Sequence, residues 1–477
     1  MIFHSLDFVA FFLVTTAIYW LLPHRRQNVL LVAISYFFYG YIHQWFLALI
    51  AFTTVVDYWA ARWMERRPER RRLWLGLSLA VNLGLLGCFK YFGFFVDNVH
   101  ALLSVVGLDL PKPALSILLP VGISFYTFQE LSYTIEVYRG TLRARRDFID
   151  FAAFVCFYPQ LVAGPIERAS HLLPQVESPR TFSWPAARSA MFLICWGYFK
   201  KLVIADNVGL IANKVFALQS PGFTVLWAGV FAFAIQIYAD FSAYSDIARG
   251  VARWLGFDLM VNFNHPYMAR GPVDFWRRWH ISLSSWFRDY VYIPLGGSRG
   301  GRWRTMTNVF ITFLVSGLWH GANWNYVLWG AYHGVLVVIA RLLGRESHRD
   351  APRADAWAVL EPLQILAMFS LACIGWLMFR ETDIHMLIRD LSLSPWSTTP
   401  GDRAVGRYLF FLALLYSLPL WIHGIWSVHV APTLRQTAPS PGFTWRIAGQ
   451  TVLAGLALAA ILVLRSQQSL DFIYFQF

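Results

Sequence analysis

Apolar stretches recur from one end of this chain to the other, near residues 6–22, 28–42, 45–63, 73–96, 114–137, 187–213, 222–248, 309–340, 356–379, 407–429 and 446–464. Each approaches the ~20 residues that a helix needs to cross the hydrocarbon of a bilayer, or is long enough for a hairpin. Lipid supplies no hydrogen bonds to an open backbone, so spanning segments of this length must be helical. The expectation is an all-α polytopic membrane protein of roughly eleven spans plus re-entrant pieces, with no room for a soluble domain. Composition agrees: 57% of the residues are hydrophobic and 14% charged, where a soluble chain carries about a quarter charged.

The first residues, MIFHSLDFVAFFLVTTAIYW, lack a basic leader and a small-residue cleavage site, so they are expected to stay as the first span. Cys88, Cys156, Cys195 and Cys373 lie singly in apolar segments without CxxC spacing, which points to core packing rather than a disulfide framework or a zinc site. The formal net charge of +13 sits in short loops between apolar runs, so it reports membrane orientation and not nucleic-acid binding. The runs Glu65 to Arg72, Arg139 to Arg146 and Arg270 to Arg304 read as cytoplasmic, as does the loop His24-Arg25-Arg26, with the N-terminus and the last residues on the outer face.

Ionisable groups inside apolar segments cost roughly 2.5–3.5 kcal/mol at a span centre, so each needs a partner or a job. QIYADFSAYSDIARG, 236–250, carries Asp240 and Asp246 six residues apart, hence on different helix faces. One of them orients a catalytic group or lines a polar tunnel, or else both hold Arg249, Arg253 or another helix. DFWRRWHISLSSWFRDYVYIPLGGSRGGRWR, 274–304, suits a helix lying in the interface, with Trp276, Trp279, Trp286 and Tyr290 at headgroup depth and Arg277, Arg278 and Arg288 in the cytoplasm. His280 lies within it. The glycine-rich loop that follows, with Arg299, Arg302 and Arg304, either holds the phosphates of a nucleotide-bearing donor or serves topology alone.

LWHGANWNYVLWGAYHG, 318–334, places His320, Asn323, Asn325 and His333 in an apolar setting. Gly321, Ala322 and Asn323 break the pattern at His320, and irregular backbone at membrane depth is tolerated where it lines a cavity. On this ground His320 is either a buried structural residue or an active-site base, while His333 reads as helix packing. No His-Glu-x-x-His pattern surrounds them, so no metal is expected. The tail, Asp471 to Phe477, is aromatic where chain ends are usually polar and frayed. It is expected to dock, either as an interfacial cap or by inserting into a cavity and offering the Tyr474 hydroxyl.

Several of these stretches resemble the membrane-bound O-acyltransferase (MBOAT) family, and within it the bacterial branch of the alginate O-acetylation membrane subunit and the D-alanyl-lipoteichoic-acid transferase. DFWRRWHISLSSWFRDYVYIPLGGSRGG (274–301) and FLVSGLWHGANWNYVLWG (313–330) are similar to the family's two histidine motifs. LPVGISFYTFQELSYTIEVYRG (119–140), FYPQLVAGPIER (157–168) and YADFSAYSDIARG (238–250) resemble its other signatures in the same order. The resemblance runs from IFHSLDFVAFF to FIYFQF and is strongest to the alginate-acetylase branch.

What it implies is a single membrane domain over 1–477, with signatures at about 119–340, folded as a ring of helices, some broken or re-entrant, around a central tunnel. His320 takes the place of the family's catalytic histidine and His280 that of the second. The implied reaction is acyl transfer, most simply acetyl, from a cytoplasmic thioester, acetyl-CoA or an acyl carrier protein, towards a cell-surface or exported polysaccharide. In that scheme His320 is the base, His280 orients the thioester or stabilises the oxyanion, and Asn323 is a hydrogen-bond partner of His320 or substrate. Tyr474 is the candidate acyl carrier, by likeness to the aromatic C-terminal motif of a partner in the D-alanylation system. An external SGNH-type acetyltransferase would complete the transfer, and the bacterial cytoplasmic membrane would be the location. Two rivals stay open: a polytopic transporter that moves acyl groups noncovalently, and an MBOAT that acylates a lipid or protein hydroxyl directly.

Overall fold

In a computed structural model the chain is helical throughout, with no strand among the described residues. Those are residues 1, 3–41, 43–108, 111, 118–162, 164–344, 360–432, 443–468 and 470–473. Five helical stretches are long and apolar enough to cross a membrane: Gln44–Arg66, Pro68–Val105, Phe223–Trp254, Glu361–Arg380 and Pro400–Val430. Leu6–Leu21 and Ala448–Leu464 are shorter apolar helices. Other apolar stretches fold as interrupted helices. The run near 187–213 contains a π-helical stretch at Lys200–Ala205, and the run near 309–340 breaks at Gly321–Asn323 into Arg302–His320 and Trp324–Leu342. The cysteines divide: Cys156 and Cys373 are buried, whereas Cys88, expected in the core, is exposed.

The chain forms two compact units, Met1–Ile194 with Ile247–Met260, and Cys195–Asp246 with Val261–Phe477. In the first, Arg25 pairs with Asp147, and Arg71 lies over the Tyr138 ring with 5.1 Å to its centroid. The basic loops at 24–26, 65–72 and 139–147 therefore share one end, the end that the charge reading assigns to the cytoplasm. Asp147 also starts the Phe148–Cys156 helix, accepting from the backbone N–H groups of Ile149 (2.8 Å) and Asp150 (3.2 Å). Between the apolar layers lie polar groups that the hydropathy pattern concealed. Asn82 donates to buried Asp57 (2.8 Å), Ser78 to Thr134 (3.0 Å), and Thr54 to buried Glu130 (3.2 Å).

The second unit is organised around the hairpin of Arg302–His320 and Trp324–Leu342. These two helices touch through backbone. A Cβ on Gly317 would stand 2.2 Å from the Tyr326 carbonyl oxygen, and one on Gly330 would stand 2.4 Å from that of Phe313. Small residues allow such close approach between helices where lipid gives no hydrophobic drive. Gly334 is less confined, because a Cβ there first meets a movable ring atom of Phe310 at 3.0 Å. Gly317→Ala is expected to destabilise the solubilised protein by about 1–3 kcal/mol or more through overpacking, and Gly334→Ala by less. Thermal unfolding in detergent checks that order.

Candidate active site

The candidate histidines and the side chains that meet them lie in the second unit. After the helix ending at Trp254 the chain turns irregular, and two backbone hydrogen bonds tie the segment at 262–264 to that at 278–281. Asn264 N–H donates to the Arg278 carbonyl (3.0 Å), and Ile281 N–H to that of Asn262 (2.9 Å). The buried Asn262 side chain completes the tie, donating to Ser245 Oγ (2.7 Å) and accepting from Ser282 Oγ (2.6 Å). A histidine sits beside each segment. His265 (φ 47°) and His280 (φ 42°) are the non-glycine residues with positive φ among those described. Left-handed backbone costs a side-chain-bearing residue roughly 1–2 kcal/mol, and histidine is among the residues found there more often than most.

His280 stands at the N-terminus of the Ile281–Phe287 helix and is 1% exposed. Phe241 meets its ring edge-on at 4.7 Å between centroids, and Phe263 and Trp319 lie at 6.4 Å. The single interfacial helix expected over 274–304 is not what forms. Pro272–Arg278 and Ile281–Phe287 are two short helices separated at Trp279–His280, and Trp279 and Trp286 are buried against protein. The left-handed turn at His280 is the physical reason: a helix cannot run through it.

His320 is the last residue of its helix, and Gly321 leaves in extended backbone. Glycine is needed there for space, since a Cβ would lie 2.1 Å from the Tyr326 ring. The imidazole is 7% exposed and is met edge-on by Trp319 (5.0 Å), Trp329 (5.0 Å) and Phe379 (5.3 Å). Trp319 thus touches both histidines. Phe379 is held in turn by Asn325, whose Nδ2 donates to the carbonyls of Met378 (3.2 Å) and Phe379 (3.3 Å) at the end of the Glu361–Arg380 helix. Asn323 occupies the N-cap of the second hairpin helix without a capping bond from its side chain. His333 is buried among Phe275, Trp276, Trp329 and Tyr332, and Gly375 leaves room for its Nε2.

Asp240 and Asp246 both pair with lysines on another helical segment. Lys200 contacts Asp246 (2.8 Å) and Ser242 (2.8 Å), while Lys201 bridges Asp240 (3.0 Å) and Asp206 (2.9 Å). Arg253 pairs with Asp258 (2.9 Å). Consecutive lysines point in different directions, as do aspartates six apart on a helix, so each lysine meets one of them. The end of the chain docks beside this network. Ile473 N–H donates to Asp240 (2.7 Å), and the Phe472 ring stacks on Tyr244 (4.5 Å) and reaches Phe241 (6.1 Å), the ring that meets His280. Tyr474 itself lies outside the described residues.

The glycine loop turns through left-handed Gly296, Gly297, Gly300 and Gly301. Arg304 folds back over it, within 3.4 Å of a Cβ built on Gly296. Arg299 stays on the exposed loop, and Arg302 donates to the Leu342 carbonyl (2.7 Å), capping the second hairpin helix. Sequence reasoning missed Lys200, Lys201, Asp206, Asn262 and His265. Of these, the paired lysines inside an apolar run were the one visible signal. His265 sits edge-on to His423 (4.8 Å) and lines a small space with Tyr238, Tyr267, Met268 and Trp421.

What fold and site together define is a multi-pass helical membrane protein with two buried histidines sharing one tryptophan at a break between helices. The chain belongs to the membrane-bound O-acyltransferase family, whose family model matches residues 140–374, and it is an O-acyltransferase. It is 39% identical over 498 aligned residues, the whole of both chains, to the probable alginate O-acetylase AlgI of Pseudomonas putida. It is 33% identical to the peptidoglycan O-acetyltransferase of Helicobacter pylori, over 78% of this chain and 75% of that one. To the teichoic acid D-alanyltransferase of Bacillus subtilis it is 27% identical, over 56% and 69%.

The tie at Asn262 predicts a measurable dependence. Asn262→Ala removes two buried hydrogen bonds and leaves Ser245 and Ser282 to find new partners, so the protein should lose about 1–3 kcal/mol of stability, and Ser282→Ala less. Thermal unfolding of the two purified variants checks this.

Proposed function

We propose that this chain is an O-acetyltransferase of the bacterial cytoplasmic membrane that moves acetyl groups from a cytoplasmic thioester towards an exported polysaccharide, the two units acting as one acyltransferase domain. The observation that carries this reading is the shared Trp319 ring, in contact with both His280 and His320 in a chain of this family. Relatives named for alginate and for peptidoglycan support a polysaccharide acceptor.

In the proposed reaction the His320 imidazole takes the proton of the attacking hydroxyl as its oxygen bonds to the thioester carbonyl carbon. The tetrahedral oxyanion collapses, the C–S bond breaks, and the thiolate leaves with the proton held on His320. His280 serves at the carbonyl oxygen, orienting the thioester and stabilising the developing charge. The glycine loop with Arg299 and Arg304 is the candidate seat for the donor's phosphates, acetyl-CoA or a carrier-protein thioester. Arg302, engaged with Leu342, contributes less to it.

The hydroxyl is that of Tyr474, which becomes a tyrosyl ester, and an external SGNH-type acetyltransferase takes the acetyl group onward. Burial of Phe472 and Ile473, two residues and one residue before Tyr474, supports this over direct acylation of a lipid, because Phe472 is seated next to the ring that packs on His280.

Two outcomes test the scheme. His320→Ala, at unchanged membrane abundance, should lower acetyl transfer by roughly 10²–10⁴-fold, the usual worth of a general base; wild-type rates would remove His320 from this role. Tyr474→Phe should abolish covalent incorporation of radiolabel from acetyl-CoA and the export of acetyl groups, and full retention of both would end the carrier scheme.

A further inference from the structure

The ion cluster around Lys201 does more than neutralise itself. Lys201, Asp206 and Asp240 are 4%, 2% and 2% exposed, and buried charges of this kind are tolerated only when paired and fully hydrogen-bonded. One ammonium serves two carboxylates here, so further hydrogen-bonding groups are needed. Such groups come from the C-terminal segment. Ile473 N–H donates to Asp240 (2.7 Å), and Lys201 Nζ donates to the Leu470 carbonyl (2.8 Å).

The surroundings are shaped for the same segment. Gly209 has no side chain where Leu470 lies, since a Cβ there would stand 2.6 Å from Leu470 Cδ1. Upstream, Asn207 donates to the Leu464 carbonyl (3.0 Å) and Ser466 N–H to that of Leu202 (3.3 Å), so Leu464, Ser466 and Leu470 all lie against the chain at 201–209. Lys201 and Asp206 are brought together by the π-helical turn, in which Asp206 N–H bonds the Lys201 carbonyl and lines residue i+5 up with residue i.

We propose that the Lys201–Asp206–Asp240 triad is a latch for the C-terminal segment, and that its three residues are positioning residues which present Tyr474 to the histidine site by fixing the backbone of Leu470 and Ile473. The role of Tyr474 in it rests on the carrier reading above; the latch itself does not. Lys200 provides an internal control. It is an equally buried lysine, 3% exposed, and its partners Asp246 and Ser242 lie on the Phe223–Trp254 helix.

The test uses the full chain in detergent, with Cys88→Ser to remove the exposed thiol and Ile473→Cys as a reporter at a position that is 0% exposed. Reaction of the new thiol with a polar maleimide is timed against the same chain lacking it. With the latch intact, labelling should be slow. Lys201→Met and Asp240→Leu should speed it roughly tenfold or more, the effect of losing a hydrogen bond to a charged group. Asp240→Asn keeps an acceptor for Ile473 and should fall between, while Lys200→Met should stay within about twofold of the parent.

A thiol that remains shielded in both Lys201→Met and Asp240→Asn overturns the latch, as does equal exposure in Lys200→Met. Acetyl-CoA turnover by the same latch variants, without the reporter, should show a lowered kcat at an unchanged donor KM. If the reporter is released while Tyr474→Phe still transfers acetyl groups, the carrier reading falls and the latch stands.

Discussion

A polar group withdrawn from water inside this bundle has to be answered by another group of the protein, and the second unit is built around that requirement. Where backbone leaves the helical pattern, it is tied rather than left open. Asn262 joins the segment after one helix to the start of another, and Asn325 takes up two carbonyls at a helix end. Where charge is buried, Lys200 and Lys201 each have a carboxylate, and the Lys201 cluster also exchanges hydrogen bonds with the C-terminal backbone. Because these ties are made, irregular structure can exist in an apolar setting and can carry histidines.

The two candidate histidines reach the same aromatic ring by different routes. His320 is delivered by the end of a helix whose partner returns so closely that backbone packs on backbone. His280 is delivered by a left-handed turn between two short helices. Trp319 belongs to the first element and touches both, which makes the hairpin the common reference for the two imidazoles. Aromatic rings wall both His280 and His320.

Much of this was legible in the sequence, and the parts that were not have physical reasons. The helical class followed from apolar run length, whereas His280 and His320 were paired by the likeness of their motifs to the family's two histidine motifs, the apolar setting alone having left His320 open between structure and chemistry. The break at Gly321–Asn323 was visible as an interruption of the apolar pattern. The interfacial helix over 274–304 was misread because aromatic and arginine spacing looks the same whether a helix continues or turns left-handed at His280. Lys201 and Asp206 escaped because a π-helical turn aligns residues five apart, off the ordinary helical period. Asp57 and Glu130 escaped because one acid hardly alters the mean hydropathy of a span. His265 was an unremarked residue in a loop until its backbone was seen to match that of His280.

That shared conformation separates two demands that normally fall on one residue. At positions 265 and 280 the backbone is best served by glycine or asparagine, whereas the chain carries imidazole at both. Alanine there would disturb main chain and side chain together, and loss of function would have two explanations. Glycine and asparagine satisfy the main chain and subtract only the ring, so at these two sites the substitutions usually regarded as drastic are the ones that isolate chemistry from folding.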